Sequence, residues 1–354
     1  MTPRFHRLRV KDIVRETDDT VSVAFEVPTE LLEDYLFEAG QHLTFKTDSN
    51  GEEIRRSYSI CKAPYEKELR VAIKKVQDGL FSSFANDKLA IGDELDVMTP
   101  MGNFTVEFNK KNQKSYLFFA SGSGITPVIS LIKTILEKEP LSNVSLVYGN
   151  KGIAHIIFRD ELEGLKNQFM NRFNLIHILS RENLGITVQK GRINGEKCTE
   201  LFSTYLKNQA VDEVFICGPE EMIHSVKDFM LAKGVDTKSI HFELFNTSEI
   251  KKVLSTKDDP KVQANVKVIL DGDTFEMSVD SHGESILDAA FNAGADVPFA
   301  CKGGVCCTCK AKIIEGSVRM DVNYGLEADE IAAGYILTCQ SHPTSEKLTV
   351  SYDD

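Results

Sequence analysis

The chain has 354 residues, eight cysteines and a formal net charge of −12 at pH 7. That charge speaks against a nucleic-acid partner, and no apolar run approaches the roughly 20 residues needed to cross a bilayer, so no membrane insertion is expected. The length predicts two or three domains, and the opening MTPRFHRLRV, which lacks an apolar h-region, predicts a cytoplasmic protein in which clustered cysteines bind metal rather than pair as disulfides.

Residues 1–108 carry short alternating runs: FHRLRVKDIV, VSVAFEV, QHLTFKT, RRSYSI, LRVAIKKV and ELDVM. Turn signals such as SNGEE and Pro28 separate them, which predicts an all-β barrel or sandwich. Within it, RRSYS (Arg55–Ser59) ends a strand and GLFSSF (Gly79–Phe84) starts a helix. Taken alone, Arg56 reads as a solvated strand residue and Tyr58 as a barrel-packing ring. Residues 109–246 alternate apolar strands (KSYLFFA, NVSLVYG, FNLIHIL, EVFICG, IHFELF) with helical stretches, the pattern of an α/β domain with a parallel sheet. GSGITP (Gly122–Pro127) follows a strand and opens a helix, and ICGPEEM (Ile216–Met222) repeats the arrangement. Two such strand ends define a crevice that suits a pyrophosphate, although a plain strand–helix turn and a merely buried Cys217 fit the same strings.

Residues 247–262 are polar, lack a sustained apolar period and read as a linker. Residues 263–354 give a hairpin (NVKVILDG, DTFEMSV), a helix (SILDAAFNAG), a cysteine loop and short strands, a small α+β domain. This segment holds six Lys or Arg against fifteen Asp or Glu, so it carries −9 of the −12. The string CKGGVCCTC spaces Cys301, Cys306 and Cys309 as C-x4-C-x2-C, and Cys339 follows after 29 intervening residues. This is the plant-type [2Fe–2S] spacing, in which each iron takes two thiolates. Zinc loops more often pair one C-x2-C with another, and buried thiols need no spacing at all. Cys307 breaks the pattern and is surplus.

The order RSYS, G-x-x-S, GSGITP, YGN (148–150) and CGP (217–219) resembles the ferredoxin–NADP reductase superfamily over residues 1–245. The resemblance implies an FAD-binding barrel followed by an NAD(P)-binding domain. On it, Arg56 contacts flavin phosphate, Tyr58 lies along the isoalloxazine and Ser59 bonds near N5. Ser57, Ala72, Ile73 and Lys74 line the flavin, and Gly79, Leu80, Phe81 and Ser82 hold its pyrophosphate. Gly122, Gly124, Ile125, Thr126 and Pro127, with Tyr148, Gly149 and Asn150, face the dinucleotide. Cys217, Gly218, Pro219 and Met222 border the nicotinamide, while Glu243 and Phe245 approach the ring's other face. Ser180 and Arg181 sit where the superfamily binds a 2′-phosphate, which implies NADPH over NADH. The C-terminal domain resembles a plant-type ferredoxin of β-grasp fold, with Cys301, Cys306, Cys309 and Cys339 as ligands.

End to end, QHLTFK, GEEIRRSYSIC, INGEK, FICGP, ACKGGVC and LEADEIAAGY resemble the family of phenylacetyl-CoA epoxidase reductase subunits. That implies electron flow from NADPH to FAD to a [2Fe–2S] cluster and on to a di-iron, multisubunit oxygenase; reductases of other oxygenases, hydroxylases or desaturases, and general ferredoxin-type carriers, share most of these motifs. Cofactors carry such chemistry, so Cys217, Glu243 and Ser59 are expected to tune geometry and charge beside N5 rather than to form a triad. A di-iron site needs two Glu-x-x-His motifs; the chain has one, at Glu221–His224, so the oxygenase is expected to be a separate protein. The acidic C-terminal domain, through Asp271, Asp273, Glu284, Asp288, Asp321 and the LEADE stretch, is expected to dock a basic patch on that partner.

Overall fold

Residues with alternating apolar side chains bury one face of a strand, and the first six strands do this around a common core. In the computed structural model, which describes residues 3–49, 52–183, 185–245 and 261–353, they are β1 (Phe5–Thr17), β2 (Thr20–Glu26), β3 (His42–Ser49), β4 (Glu52–Ser59), β5 (Leu69–Lys74) and β6 (Glu94–Met98). Their order is β4-β3-β6-β1-β2-β5, and an antiparallel bridge from Ile60 to Val71 brings the two edges together as a barrel. Leu8, Val23, Phe45, Ile73 and Phe81 fill it. Helix α1 (Leu80–Asp87) follows the fifth strand and caps the barrel with Phe81 and Ala85.

The next sheet is parallel throughout. It runs β7 (Ser115–Ser121), β8 (Asn143–Asn150), β9 (Phe173–Leu179), β10 (Glu213–Cys217) and β11 (Ile240–Glu243), in the order β11-β10-β7-β8-β9. Helices α2 (Ile125–Lys138), α3 (Arg159–Gln168), α4 (Gly195–Ser203) and α5 (Glu220–Ala232) connect the strands. From β7 the chain runs outward in both directions, so the strand order reverses between β7 and β10, and a crevice opens at their carboxyl ends. The coarse sequence pattern shows no α4. Its start is fixed by Asn194, whose side chain accepts the Lys197 N–H at 2.8 Å, a cap hidden among loop residues.

Barrel and parallel sheet share the larger compact unit, which holds His6–Ile54 and Tyr58–Phe245. Ala39, Cys61, Ala72 and Phe104 pack into one apolar core with Ile125, Val128 and Leu131. The Ser130 hydroxyl donates to the Lys62 carbonyl at 2.7 Å, and buried Lys133 bonds both Glu66 oxygens at 3.0 Å and pairs with Glu161. These contacts set where the barrel wall stands against the crevice.

The C-terminal residues form the smaller unit. Strands β12 (Gln263–Leu270), β13 (Asp273–Asp280), β14 (Lys310–Glu315), β16 (Tyr335–Leu337) and β18 (Lys347–Ser351) make a mixed sheet of order β13-β12-β18-β14-β16, while β15 (Val318–Met320) pairs with β17 (Ser341–Pro343). The first and last strands of the sheet run parallel, and helices α6 (Ile286–Asn292) and α7 (Ala328–Ala332) complete the β-grasp arrangement. The predicted hairpin forms across Asp271 and Gly272, both at positive φ, 53° and 82°, as a primed Asp-Gly turn requires. The expected linker, 247–262, lies outside the described residues except for its last two. Among the described residues no helix is long and apolar enough to cross a membrane.

Candidate functional site

The crevice is built by two turns that approach backbone to backbone. Gly122 closes β7 at φ 55°, and a Cβ on Gly124 would overlap the Cys217 carbonyl. A Cβ on Gly218 would press into Met222 and lie 3.1 Å from the Ser121 Cβ. Only glycine allows this approach. The buried Tyr148 hydroxyl donates to the Gly122 carbonyl at 2.9 Å and steadies the turn from the neighbouring strand. Asn150 is 8% exposed, yet its amide has no close hydrogen-bond partner, only the Tyr148 hydroxyl at longer range. A buried amide left in that state is destabilising unless a ligand meets it. The glycine cradle and the orphaned amide fit a dinucleotide at this edge.

The barrel reaches into the same place. Buried Ser59, at the end of β4, donates its hydroxyl to Glu243 Oε2 at 3.2 Å. Glu243 stands opposite Cys217 in the β10–β11 register. The three residues expected beside the reacting ring therefore meet. Burial pushes the Glu243 carboxyl up to about 8, and the Ser59 hydrogen bond offsets this only in part. Burial, then the Glu243 charge, pushes the Cys217 thiol well above its ordinary range, so it stays a thiol at neutral pH. Phe245, 44% exposed, ends the described part of this unit.

The other expected flavin residues divide by orientation. Successive strand side chains alternate: Ala72 joins the core shared with the parallel domain, Ile73 points into the barrel, and Lys74 faces out, 3.6 Å from Asp19. Ile73 is fully buried, and its carbonyl accepts from the Asn86 amide at 3.0 Å, so the expected contact of Ile73 with the flavin does not form through its side chain or its carbonyl. The Tyr58 ring is half-buried, 5.6 Å from Phe81 and 6.0 Å from Phe45. Arg56 is exposed and donates to the Arg55 carbonyl at 2.7 Å, and Ser57 is half-buried beside it. The Ser82 hydroxyl accepts from Val76 N at 3.2 Å and donates to Gly79 O at 3.3 Å, and the Gly79 N–H donates to the Val76 carbonyl at 3.2 Å, which closes the 76–82 loop. Leu80 is 59% exposed. At the far end of the crevice, Ser180 donates to the Asn150 carbonyl at 3.4 Å and Arg181 is exposed. Glu182 is turned aside, where its carboxylate accepts the Ile153 N–H at 2.8 Å.

In the smaller unit the four spaced cysteines fall into two thiol pairs. Cys301 and Cys306 share a hydrogen bond, as do Cys309 and Cys339. The Cys306 hydrogen bond, then the N–H groups of Gly303, Val305 and Cys306, hold the Cys301 thiol down against burial. The Gly303 N–H reaches Cys301 Sγ at 3.3 Å. Gly304, at φ 73°, has no room for a Cβ, which would lie 2.8 Å from the Val322 carbonyl. Two pairs of thiols under donor N–H groups fit a two-iron cluster. Cys307 stands apart. At φ 53° it turns its thiol to donate to the Gly325 carbonyl at 2.6 Å. Sequence reasoning passed over Thr338, whose hydroxyl bonds the Cys309 carbonyl at 3.0 Å, because neither spacing nor composition marks it.

Known proteins share this arrangement in parts and in whole. The oxidoreductase FAD-binding domain matches residues 7–106, the oxidoreductase NAD-binding domain residues 118–228, and the 2Fe-2S iron-sulfur cluster binding domain residues 268–344. The chain is 42% identical over 351 residues to one component of the 1,2-phenylacetyl-CoA epoxidase of Escherichia coli, covering 99% of this chain and 98% of that one. It is 32% identical to the ferredoxin reductase component of Rhodococcus rhodochrous 3-ketosteroid-9-alpha-monooxygenase, covering 98% and 96%. The chain belongs to the family of oxygenase reductase components. Phthalate dioxygenase reductase shares the fold of this reductase at a TM-score of 0.59 and 24% identity, over 98% of both chains. An intact type IV self-sufficient cytochrome P450 monooxygenase contains the same fold at a TM-score of 0.71 and 20% identity, over 98% of this chain and 41% of the other. The reductase is thus an NAD(P)H-dependent oxidoreductase with FAD, nicotinamide and [2Fe–2S] domains.

The Glu243 carboxyl gives the reductase a pH signature. Its folded value lies above the ordinary carboxylate range, so folding favours the protonated form. That contribution is complete below about pH 4.5 and is lost as pH rises through about 8. Glu243→Gln, which stays neutral, should therefore gain stability over wild type as pH rises from 5 to 8. The expected gap is a few degrees in Tm, at about 2–4 °C per kcal/mol for a unit of this size. Parallel Tm–pH curves for the two proteins would contradict a neutral, half-buried Glu243.

Proposed function

We propose that this reductase draws electrons from NADPH and delivers them to the oxygenase of a phenylacetyl-CoA epoxidase system. The observation that carries the reading is the end-to-end identity of 42% with the E. coli epoxidase component, against 32% with the ketosteroid monooxygenase reductase. Bound FAD supplies the conversion of a two-electron donor into single electrons that a one-electron cluster accepts. The chain's own residues place the partners. The Gly122–Pro127 and Cys217–Pro219 turns hold the nicotinamide end, with Asn150 meeting a polar group of the dinucleotide. Ser59, Cys217 and Glu243 present neutral, hydrogen-bonding side chains beside the reacting ring. Ser180 and Arg181 hold a 2′-phosphate; hydrogen bonds to charged groups contribute roughly 1.5–3 kcal/mol, enough for a preference of about tenfold or more for NADPH over NADH. Cys301 and Cys306 hold one iron, Cys309 and Cys339 the other. None of the eight cysteines is in a disulfide, which suits the reducing cytoplasm.

The partner is an oxygenase, and we take it to be a di-iron, multisubunit one. Its docking face differs from what the bare acidity suggests. Asp288 pairs with Lys302 at 2.8 Å, Glu330 with Lys310 at 3.0 Å, and Asp321 with Arg319 and with His342 at 3.3 Å. These carboxylates are partly neutralised inside the unit. Glu327, the N-cap of α7, and Asp329 on that helix remain exposed, beside Ile331 at 43% exposure. An acidic rim around an apolar contact suits a transient electrostatic encounter.

Two measurements test this reading. In the first, Cys307→Ser should keep two irons per chain, because serine can donate the same hydrogen bond to Gly325, while Cys306→Ser should lose the cluster. Equal bleaching of the two variants would show that Cys307 is a ligand. In the second, the purified reductase and NADPH should reduce the oxygenase component of a phenylacetyl-CoA epoxidase faster than that of a ketosteroid monooxygenase. The partner step should slow as salt shortens the Debye length from about 10 Å at 0.1 M to about 3 Å at 1 M, and Asp329→Lys should slow it further, while flavin reduction stays constant. Preference for the ketosteroid oxygenase would overturn the assignment; a salt-independent partner rate would overturn the docking face alone.

A further inference from the structure

Gln340 directly follows the thiol Cys339, and Lys302 directly follows the thiol Cys301. The Gln340 side chain, 5% exposed, joins the two. Its Nε2 donates to the Lys302 carbonyl at 2.9 Å and to the Cys339 carbonyl at 3.0 Å, and lies 3.8 Å from Cys339 Sγ. Two carbonyl acceptors fix which way the amide points, since the flipped form would set oxygen against oxygen. The Gln340 backbone carbonyl accepts the Asp321 N–H at 2.8 Å. Gly304 passes so close that a Cβ there would be 3.1 Å from Gln340 Cγ. The amide is thus buried, held from three sides, and spans the two thiol pairs.

We propose that Gln340 is the positioning residue of the [2Fe–2S] centre, and that its amide, with one N–H on the Lys302 carbonyl and the other shared between the Cys339 carbonyl and the Cys339 sulfur, sets the cluster's reduction potential. The inference rests on the two-iron reading of the four thiols. Reduction adds one electron to the cluster and its sulfurs, so a donor N–H beside a ligand sulfur stabilises the reduced form more than the oxidised one. Cys339 is 8% exposed, and buried hydrogen bonds to charge are strong. The tie to Lys302 keeps the donor in place through the redox cycle, because the amide has a second, fixed acceptor.

The experiment is an EPR-monitored redox titration of the full-length, cluster-loaded protein. Iron content and the reduced-cluster signal of wild type come first, and their absence would overturn the two-iron reading itself. With the cluster present, Gln340→Met, similar in length but without a donor, should lower the cluster midpoint and leave the flavin midpoint unchanged. Gln340→Glu should lower it further. A wild-type midpoint in Gln340→Met, even with a shorter-lived cluster, would overturn the inference and leave Gln340 a mere tie. If neither variant loads iron, the wild type still decides: with glutamine side-chain amides labelled with 15N, ENDOR of the reduced protein should show a hyperfine-coupled nitrogen, and its absence would overturn the proposal.

Discussion

How near two backbone turns can come decides the larger unit. The carboxyl ends of β7 and β10 meet where Gly124 lies against the Cys217 carbonyl, and no side chain but hydrogen fits there. That contact fixes the floor of the crevice. The neighbouring strand β11 then carries Glu243 to its edge, opposite Cys217. The barrel wall supplies Ser59, held at that distance by the Lys133 ion cluster and the core shared with Ala72. Two elements of unlike architecture thus present three neutral polar groups to one point. A flavin ring bound at this point would gain electrons with no fixed negative charge beside it, whereas an ionised Glu243 would oppose each of them.

The smaller unit meets a different constraint. Four thiols must converge although 29 residues separate the last from the third. The loop that holds the first three uses positive φ at Lys302, Gly304 and Cys307. Strained turns of this kind persist only when their surroundings over-determine them. Here the surroundings are the Gln340 amide on Lys302, the Val322 backbone against Gly304, and the Gly325 carbonyl under the Cys307 thiol. The surplus cysteine therefore has a structural account: its thiol donates to a carbonyl that an apolar residue would leave unpaired.

Much of this is legible in the sequence, and what is not has a common cause. Strand periodicity gives the all-β segment and the parallel sheet, and the cysteine spacing gives the cluster loop, because each is a local pattern; closure of the all-β segment as a barrel rests on the Ile60–Val71 bridge. RSYS and CGP locate Ser59 and Cys217. Contacts between distant residues leave no such mark. Nothing in LRVAIKKV says that Ile73 turns into the barrel core while Ala72 and Lys74 face outward, since that depends on register. The acidity of the C-terminal segment hides the pairing of Asp288 with Lys302 and of Glu330 with Lys310. Gln340 gives no signal beyond its place after Cys339. Its role comes from the Lys302 carbonyl, 38 residues away in sequence.

The central claim is that one chain stores electrons in two centres of different capacity. Anaerobic titration of the purified, fully loaded protein with a strong reductant, followed by flavin absorbance and the cluster EPR signal together, tests it most directly. The account predicts three electrons per chain, two taken by the flavin and one by the cluster. An uptake of two electrons without a cluster signal, or of one without flavin bleaching, would contradict it.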